Sequence, residues 1–442
     1  MRKTRAAMGA LIGAMLVVSG VRAASPPPVT YDAISDTRVY PKPELPKLGA
    51  AGFHFTDPTF GCALVRVSDE QTDGGNCILT PARSEQNPWN VDSTLFCVQN
   101  NGQENIPYRF DPATMTASRM DGLPQLPGLW GAATFSRHDP NLCYGIDRRR
   151  GVVVQFSFAT KQTTDVIDVA KVTGQTAGYM DAVTISANDV LSVVFGGTQQ
   201  DTCPHALVYH LDTGEHHLWN TKEGTVDGEA VPNAPHFTQH FGQIDFSGRY
   251  VMSLGPGVTG PIVWDIQSKT IYPVTVQQSG HNCLGYGQMI NDIHQWVLRS
   301  LGLEGVGQPK ALVQHPADEG YFAYDSHVSW NNARPDQPSP VLASTEHGEE
   351  AGDPRCAWGD EVIAVATDGS GRVWRFCHHR SLVHQSTRDR ATNKYNFWDT
   401  PRGNVAQDGR FFMFTSNWGE TLGTNPRGGV REDVFVVRLG RG

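Results

Sequence analysis

The chain runs to 442 residues with a formal net charge of -9, and its 46 glycines and 28 prolines punctuate it densely. A chain of this length buries a core without covalent help. The acidic balance excludes nucleic acid as an expected partner, because neutralising phosphates takes clustered lysine and arginine.

Residues 1-24 carry a basic start (Arg2, Lys3, Arg5), an apolar run from Ala6 to Val18 and a small-residue exit at Val21-Arg-Ala. This pattern predicts a secretory signal peptide, since the apolar run is too short to span a bilayer. We therefore expect a secreted or periplasmic protein with no membrane span. Residues 25-50 are rich in proline and lack an apolar period, which predicts an extended linker outside the globular body.

From residue 51 to 442 one phrase, a polar turn followed by an apolar strand, recurs seven times. The copies are Asn90-Val-Asp-Ser-Thr-Leu-Phe-Cys, His138-Asp-Pro-Asn-Leu-Cys-Tyr, Ala187-Asn-Asp-Val-Leu, Asp245-Phe-Ser-Gly-Arg-Tyr-Val-Met, Asn291-Asp-Ile-His-Gln-Trp-Val-Leu, Arg334-Pro-Asp-Gln-Pro-Ser-Pro-Val-Leu and Gln407-Asp-Gly-Arg-Phe-Phe-Met-Phe. A second phrase, an aromatic or β-branched strand breaking into an Asp/Ser/Thr turn, usually follows, as at Tyr108-Arg-Phe-Asp-Pro-Ala-Thr and Trp264-Asp-Ile-Gln-Ser-Lys. Two hairpins per repeat, at a spacing of about 45 to 60 residues, predict an all-β fold, a seven-bladed β-propeller of four-stranded blades. A ring must close or leave exposed edges. Ala63-Leu-Val-Arg-Val-Ser is expected to pair with Asp433-Val-Phe-Val-Val-Arg-Leu as a clasp between the termini.

Eight cysteines in an exported chain suggest disulfides. Cys62 with Cys77 and Cys356 with Cys377 are candidate short-loop staples; free thiols buried in strands, such as Cys97 and Cys143, are the alternative. Arg148-Arg-Arg, the one basic run, reads as a solvated hairpin tip.

The innermost strand of a blade starts near the central channel, so residues about seven to ten positions before each turn phrase should line one mouth. That rule selects Arg83, Trp130, Tyr179, His240, His281, His327 and the stretch Trp398 to Arg402. Three successive blades thus offer histidine, which serves as a proton acceptor or a metal ligand near neutral pH. His240, His281, His327 and His379 are the candidate ligands for a divalent metal, Mn or Ca once carboxamide oxygens join the shell. Arg83, Trp130, Asn331, Asn404 and Trp418 are candidate substrate contacts. Gly255-Pro-Gly-Val-Thr-Gly matches a dinucleotide fingerprint, but a strand follows where the phosphate site needs a helix, so it reads as a hairpin turn.

On Thr56-Asp-Pro-Thr-Phe-Gly with Val65-Arg-Val-Ser, on turns of the Asp408-Gly-Arg kind and on the histidines that open several blades, the chain distantly resembles exported oligogalacturonate and ulvan lyases. It departs from them in lacking a Gln-x-x-His-x-His cluster. It is also similar to a group of secreted bacterial propellers on Asp325-Ser-His-Val-Ser-Trp-Asn-Asn, Val373-Trp-Arg-Phe-Cys-His and Asn417-Trp-Gly-Glu-Thr-Leu-Gly, a likeness that implies no activity. The lyase resemblance implies β-elimination on an acidic oligosaccharide containing uronate. His281 or His327 would take the proton, Tyr179 would protonate the leaving oxygen, and Arg402 or Arg83 would neutralise the carboxylate. The rival expectation is a non-catalytic glycan- or protein-binding propeller using the same mouth. Glycoside hydrolysis would need opposed carboxylates among Asp181, Asp325 and Asp399. We expect a monomer.

Overall fold

The computed structural model describes residues 30-81, 87-100, 104-123, 133-274, 282-291, 296-313, 327-345, 357-383 and 397-441. The described strands form antiparallel sheets, and helix is confined to a few short turns such as Val169–Thr173 and Leu303–Val306. None of the described helices is long and apolar enough to cross a membrane.

Six sheets are each built from consecutive strands. Sheet 1 opens with Ile78–Leu79, sheet 2 with Thr134–Phe135, sheet 3 with Tyr179–Ile185, sheet 4 with Phe241–Ile244, sheet 5 with Asn282–Leu284 and sheet 6 with His327–Ser329. Each has four strands except sheet 3, which adds the short pair Thr225–Val226 and Glu229–Ala230 at its outer edge. The fold is thus an all-β propeller of four-stranded blades. The count of seven repeats needs one correction: six blades are continuous in the chain, and the last turn phrase, at Gln407, belongs to a composite sheet that draws on both termini. That sheet runs Asn404–Val405, Phe411–Ser416, Asp433–Arg438, Ala63–Arg66 and His54–Thr56 in spatial order. The expected clasp is present, with Leu64 opposite Val437 and Arg66 opposite Phe435.

The turn phrases fall where unbroken runs of buried residues stop, as before Leu95–Asn100, Tyr250–Leu254 and Phe411–Ser416. Asp408-Gly-Arg turns with Gly409 at a φ of 73°, a left-handed conformation that a side chain resists. The phrase at Asn291 is misplaced: in sheet 5 the first turn is Gly285 to Gly287, and Asn291 ends the second strand. Asn331, expected at the mouth, lies at the turn end, where its amide donates to the Gln407 carbonyl at 3.2 Å.

At that end the turns bond one to the next. The Asn90 amide donates to the Pro140 carbonyl at 2.9 Å, the Ser136 hydroxyl to Asp189 at 2.5 Å, and the Ala187 N–H to the Phe246 carbonyl at 2.9 Å. Phe246 N–H then donates to Gly285 at 3.0 Å, Tyr286 N–H to the Asn332 side chain at 2.8 Å, and the Gln407 amide to Trp89 and Ser136 carbonyls at 2.7 and 3.2 Å. The Arg137 guanidinium of sheet 2 stacks 4.0 Å from the ring centre of Phe246 in the turn of sheet 4.

The segment expected to be a free linker is docked from Thr30 onward. Ile34 bridges to Arg375 on the outer strand Val373–His378, and the Trp418 indole donates to the Pro46 carbonyl at 3.0 Å. Tyr31 packs edge-on against Trp374 and Phe376. A proline-rich composition predicted the extended backbone but not the apolar anchors that hold it. The disulfide expectation for Cys62 and Cys77 also fails. All seven described cysteines are free and buried: Cys62 packs with Cys377, and Cys77 faces Val430 and Asn425 instead. Cys356 lies outside the described residues.

Under this docked segment, residues 30-50 and hereafter the strap, sits a buried charged cluster. Glu361 and Arg375, both fully buried, pair at 2.5 Å, Lys42 reaches Asp360 at 2.5 Å, and His378 and His379 lie alongside. Burial pulls His379 down to about 4 and pushes Glu361 up to about 7. Below about pH 6.5 the unfolded chain protonates that imidazole while the folded chain does not, so its contribution is present above that pH and lost on acidification. Glu361 acts with the opposite sign, losing its contribution as pH rises toward about 7. Comparing the chain with His379→Gln isolates the imidazole. Chemical denaturation should show the wild type losing about 3 kcal/mol relative to the variant between pH 6.5 and 4. A constant difference across that range would rule the imidazole out as the source.

Candidate functional site

The inner strands begin at the end opposite the bonded turns: Tyr179 and His327 open their strands, and His240 directly precedes Phe241–Ile244. His281, Arg83 and Trp130 lie outside the described residues.

The structure sorts the rest into two groups. One is enclosed between sheet 6 and the composite sheet. His327 and Asn404 are buried, and Arg402 is fully buried with a φ of 38°, one guanidinium nitrogen donating to the Thr400 hydroxyl at 3.0 Å while the group lies against Trp398. Gly403 N–H donates to Ser344 at 3.1 Å, and Ser344 faces His327 across the sheet. His379, proposed as a metal ligand, uses both ring nitrogens: Nε2 donates to the Thr345 carbonyl at 2.7 Å and Nδ1 accepts from Ser381 N–H at 3.0 Å. Trp418, expected to stack on a sugar, is buried and stacks on Phe435 at 4.8 Å. Apolar enclosure, invisible in blade phase alone, makes these residues part of the wall rather than the opening.

The second group is open. His240 and Asp201 are both about half exposed, and His240 Nδ1 is hydrogen-bonded to the Asp201 carboxylate. The Thr238 hydroxyl donates to the Asp201 carbonyl at 2.6 Å, fixing the loop that carries the acid. With Nδ1–H held by a carboxylate, the lone pair of the neutral ring lies on Nε2.

Tyr179, half-buried, is tied to the strand entry that carries His240 through Cys203. Its carbonyl accepts from the Cys203 thiol at 3.6 Å, and the Cys203 carbonyl accepts from Gln239 N–H at 2.8 Å, one residue before His240. Burial pushes the Cys203 thiol up to about 11, so it is a protonated link and not a nucleophile. Asp201 escaped the sequence reading because it sits in a connection within sheet 3, off the inner-strand phase. Its one local signal is a polar loop, Thr198-Gln-Gln-Asp-Thr.

Among the described residues, no group of three or more His, Cys, Asp or Glu is arranged to hold a metal. Asp181 and Asp399 are buried, so neither stands at the open mouth as one of two opposed carboxylates.

The blades, their inner-strand mouth and the bonded turns define the class as a β-propeller. No family model matches the chain, and no curated protein matches it. Among solved structures it is similar to the oligogalacturonate lyase of Vibrio parahaemolyticus, with a TM-score of 0.53 at 12% identity, covering 93% of this chain and 98% of that one. RRP9 WD40 repeats match at a TM-score of 0.43 and 11% identity, over 82% and 94%, and TolB from Acinetobacter baumannii at 0.33 and 13%, over 56% and 59%. At these identities the likeness is one of fold.

Proposed function

We propose that the chain is exported after loss of residues 1-24 and acts as a carbohydrate-active lyase, cutting uronate-containing oligosaccharides by β-elimination. The composite sheet serves as the seventh blade and closes the ring. The observation that carries the reading is the open Asp201–His240 pair at the end where the inner strand of Tyr179 also starts. Elimination removes the proton next to the uronate carboxylate and expels the oxygen on the adjacent carbon. His240 Nε2 takes that proton, the Asp201 carboxylate stabilises the imidazolium that results, and the Tyr179 hydroxyl protonates the departing oxygen.

Incubating the mature protein with a panel of uronate polysaccharides tests this, because each cut leaves an unsaturated uronate that absorbs in the ultraviolet. His240→Gln should lower the rate by about 10²–10⁴-fold, the usual worth of a general base. Its thermal midpoint should hardly move, since the side chain is 45% exposed. Equal loss of activity and stability would make His240 a structural residue.

A second reading, a non-catalytic glycan- or protein-binding propeller, is favoured by the burial of His327, Arg402 and Asn404. A flat ultraviolet trace with measurable affinity for one polysaccharide would select it.

A further inference from the structure

Elimination has a requirement that His240 and Tyr179 leave unmet: the carboxylate beside the departing proton must be neutralised, or the carbanion forms next to a full negative charge. Arg402 cannot reach a ligand from its enclosed position. Resting on the reading above, we infer that Arg148 binds that carboxylate and sets the preference of the mouth for anionic over neutral sugars.

Arg148 stands on the hairpin between Leu142–Asp147 and Val152–Ser157, which points to the same end as the inner-strand starts. Its neighbours behave as a solvated tip: Arg149 is exposed, and Arg150 is held by Asp147 and Asp165 at 2.7 and 2.8 Å. Arg148 instead turns inward. Its Nε donates to the Met180 carbonyl at 2.6 Å, its Nη2 lies 3.4 Å from the Tyr179 hydroxyl, and the guanidinium stacks 4.5 Å from that ring's centre. Among the described residues no carboxylate pairs with it, whereas the fully buried Arg375 is matched by Glu361 at 2.5 Å. Stacking and the Met180 bond fix the plane of the group while leaving its charge uncompensated. A planar fork held beside the proton donor is suited to receive a carboxylate in two parallel hydrogen bonds.

The test is calorimetric titration of the mature protein with an oligogalacturonate and with its fully methyl-esterified counterpart. Wild type should bind the acidic form at least about tenfold more tightly, as befits a charge-assisted pair. Arg148→Gln should bind both forms alike, and Arg148→Lys, which keeps the charge without the fork, should retain part of the preference and guards against a folding defect in the first variant. Preference retained in Arg148→Gln, or absent from the wild type, overturns the inference. Preference that depends on Arg148 in a protein that never yields unsaturated ends leaves the inference standing and removes the catalytic role of His240. Turnover that needs His240 while Arg148→Gln keeps its preference does the reverse.

Discussion

Truncation after Glu432 is expected to unfold the whole chain rather than fray its end. The lost strand, Asp433–Arg438, lies between Phe411–Ser416 and Ala63–Arg66, so its removal leaves two strands without partners on facing edges. Val434, Phe435, Val436 and Val437 are all fully buried. At about 1.5–3 kcal/mol for each side chain the loss reaches about 6–12 kcal/mol, comparable to the entire stability of about 5–15 kcal/mol of an ordinary domain. Asp433 adds to this, because Arg66 and Arg431 both bond it, at 2.6 and 2.7 Å, and both are buried. Circular dichroism should show no cooperative transition in the truncated chain. A sharp transition near the wild-type midpoint would mean that the sheets from Ile78 to His378 hold together alone.

Arg375→Met is expected to cost about 3–5 kcal/mol, the usual effect of stranding one member of a buried ion pair. The same guanidinium also grips the strap: Nη1 donates to Asp36 at 3.1 Å and to the Arg38 carbonyl at 2.7 Å, and the group lies over the rings of Tyr40 and Phe60. Two effects should therefore separate. Adding Glu361→Leu to Arg375→Met removes the stranded carboxylate and should restore most of the midpoint. The strap should stay loose in both variants and become open to trypsin at Arg38 and Lys47, which mass spectrometry would read directly. Restored protease resistance in the double variant would show that the strap is held by Tyr31 and Ile34 without help from the arginine.

The blade pattern was legible because a polar turn followed by a run of buried apolar residues is a local signal, repeated wherever an inner strand meets its neighbour. It misled once, at Asn291, where another Asn-Asp pair imitates the turn that Gly285 to Gly287 makes. The clasp was legible for the same reason, since Ala63–Arg66 and Asp433–Arg438 are apolar strands with no local mate. Phase along the chain also placed Tyr179, His240 and His327 at strand starts. It could not tell an open position from a walled one. His327 and His240 are equivalent by phase, yet one packs between sheets and the other meets solvent beside Asp201. Asp201 and Arg148 come from loops whose spacing carries no repeat, so only the folded chain brings them beside the inner strands. The strap illustrates the same limit, because its anchors are contacts across more than three hundred residues.

The bonded turns, with Arg137 reaching from sheet 2 to sheet 4 and Gln407 from the composite sheet to sheet 2, couple blades that are not neighbours in the chain, so a change in one turn should be felt by the others at that end.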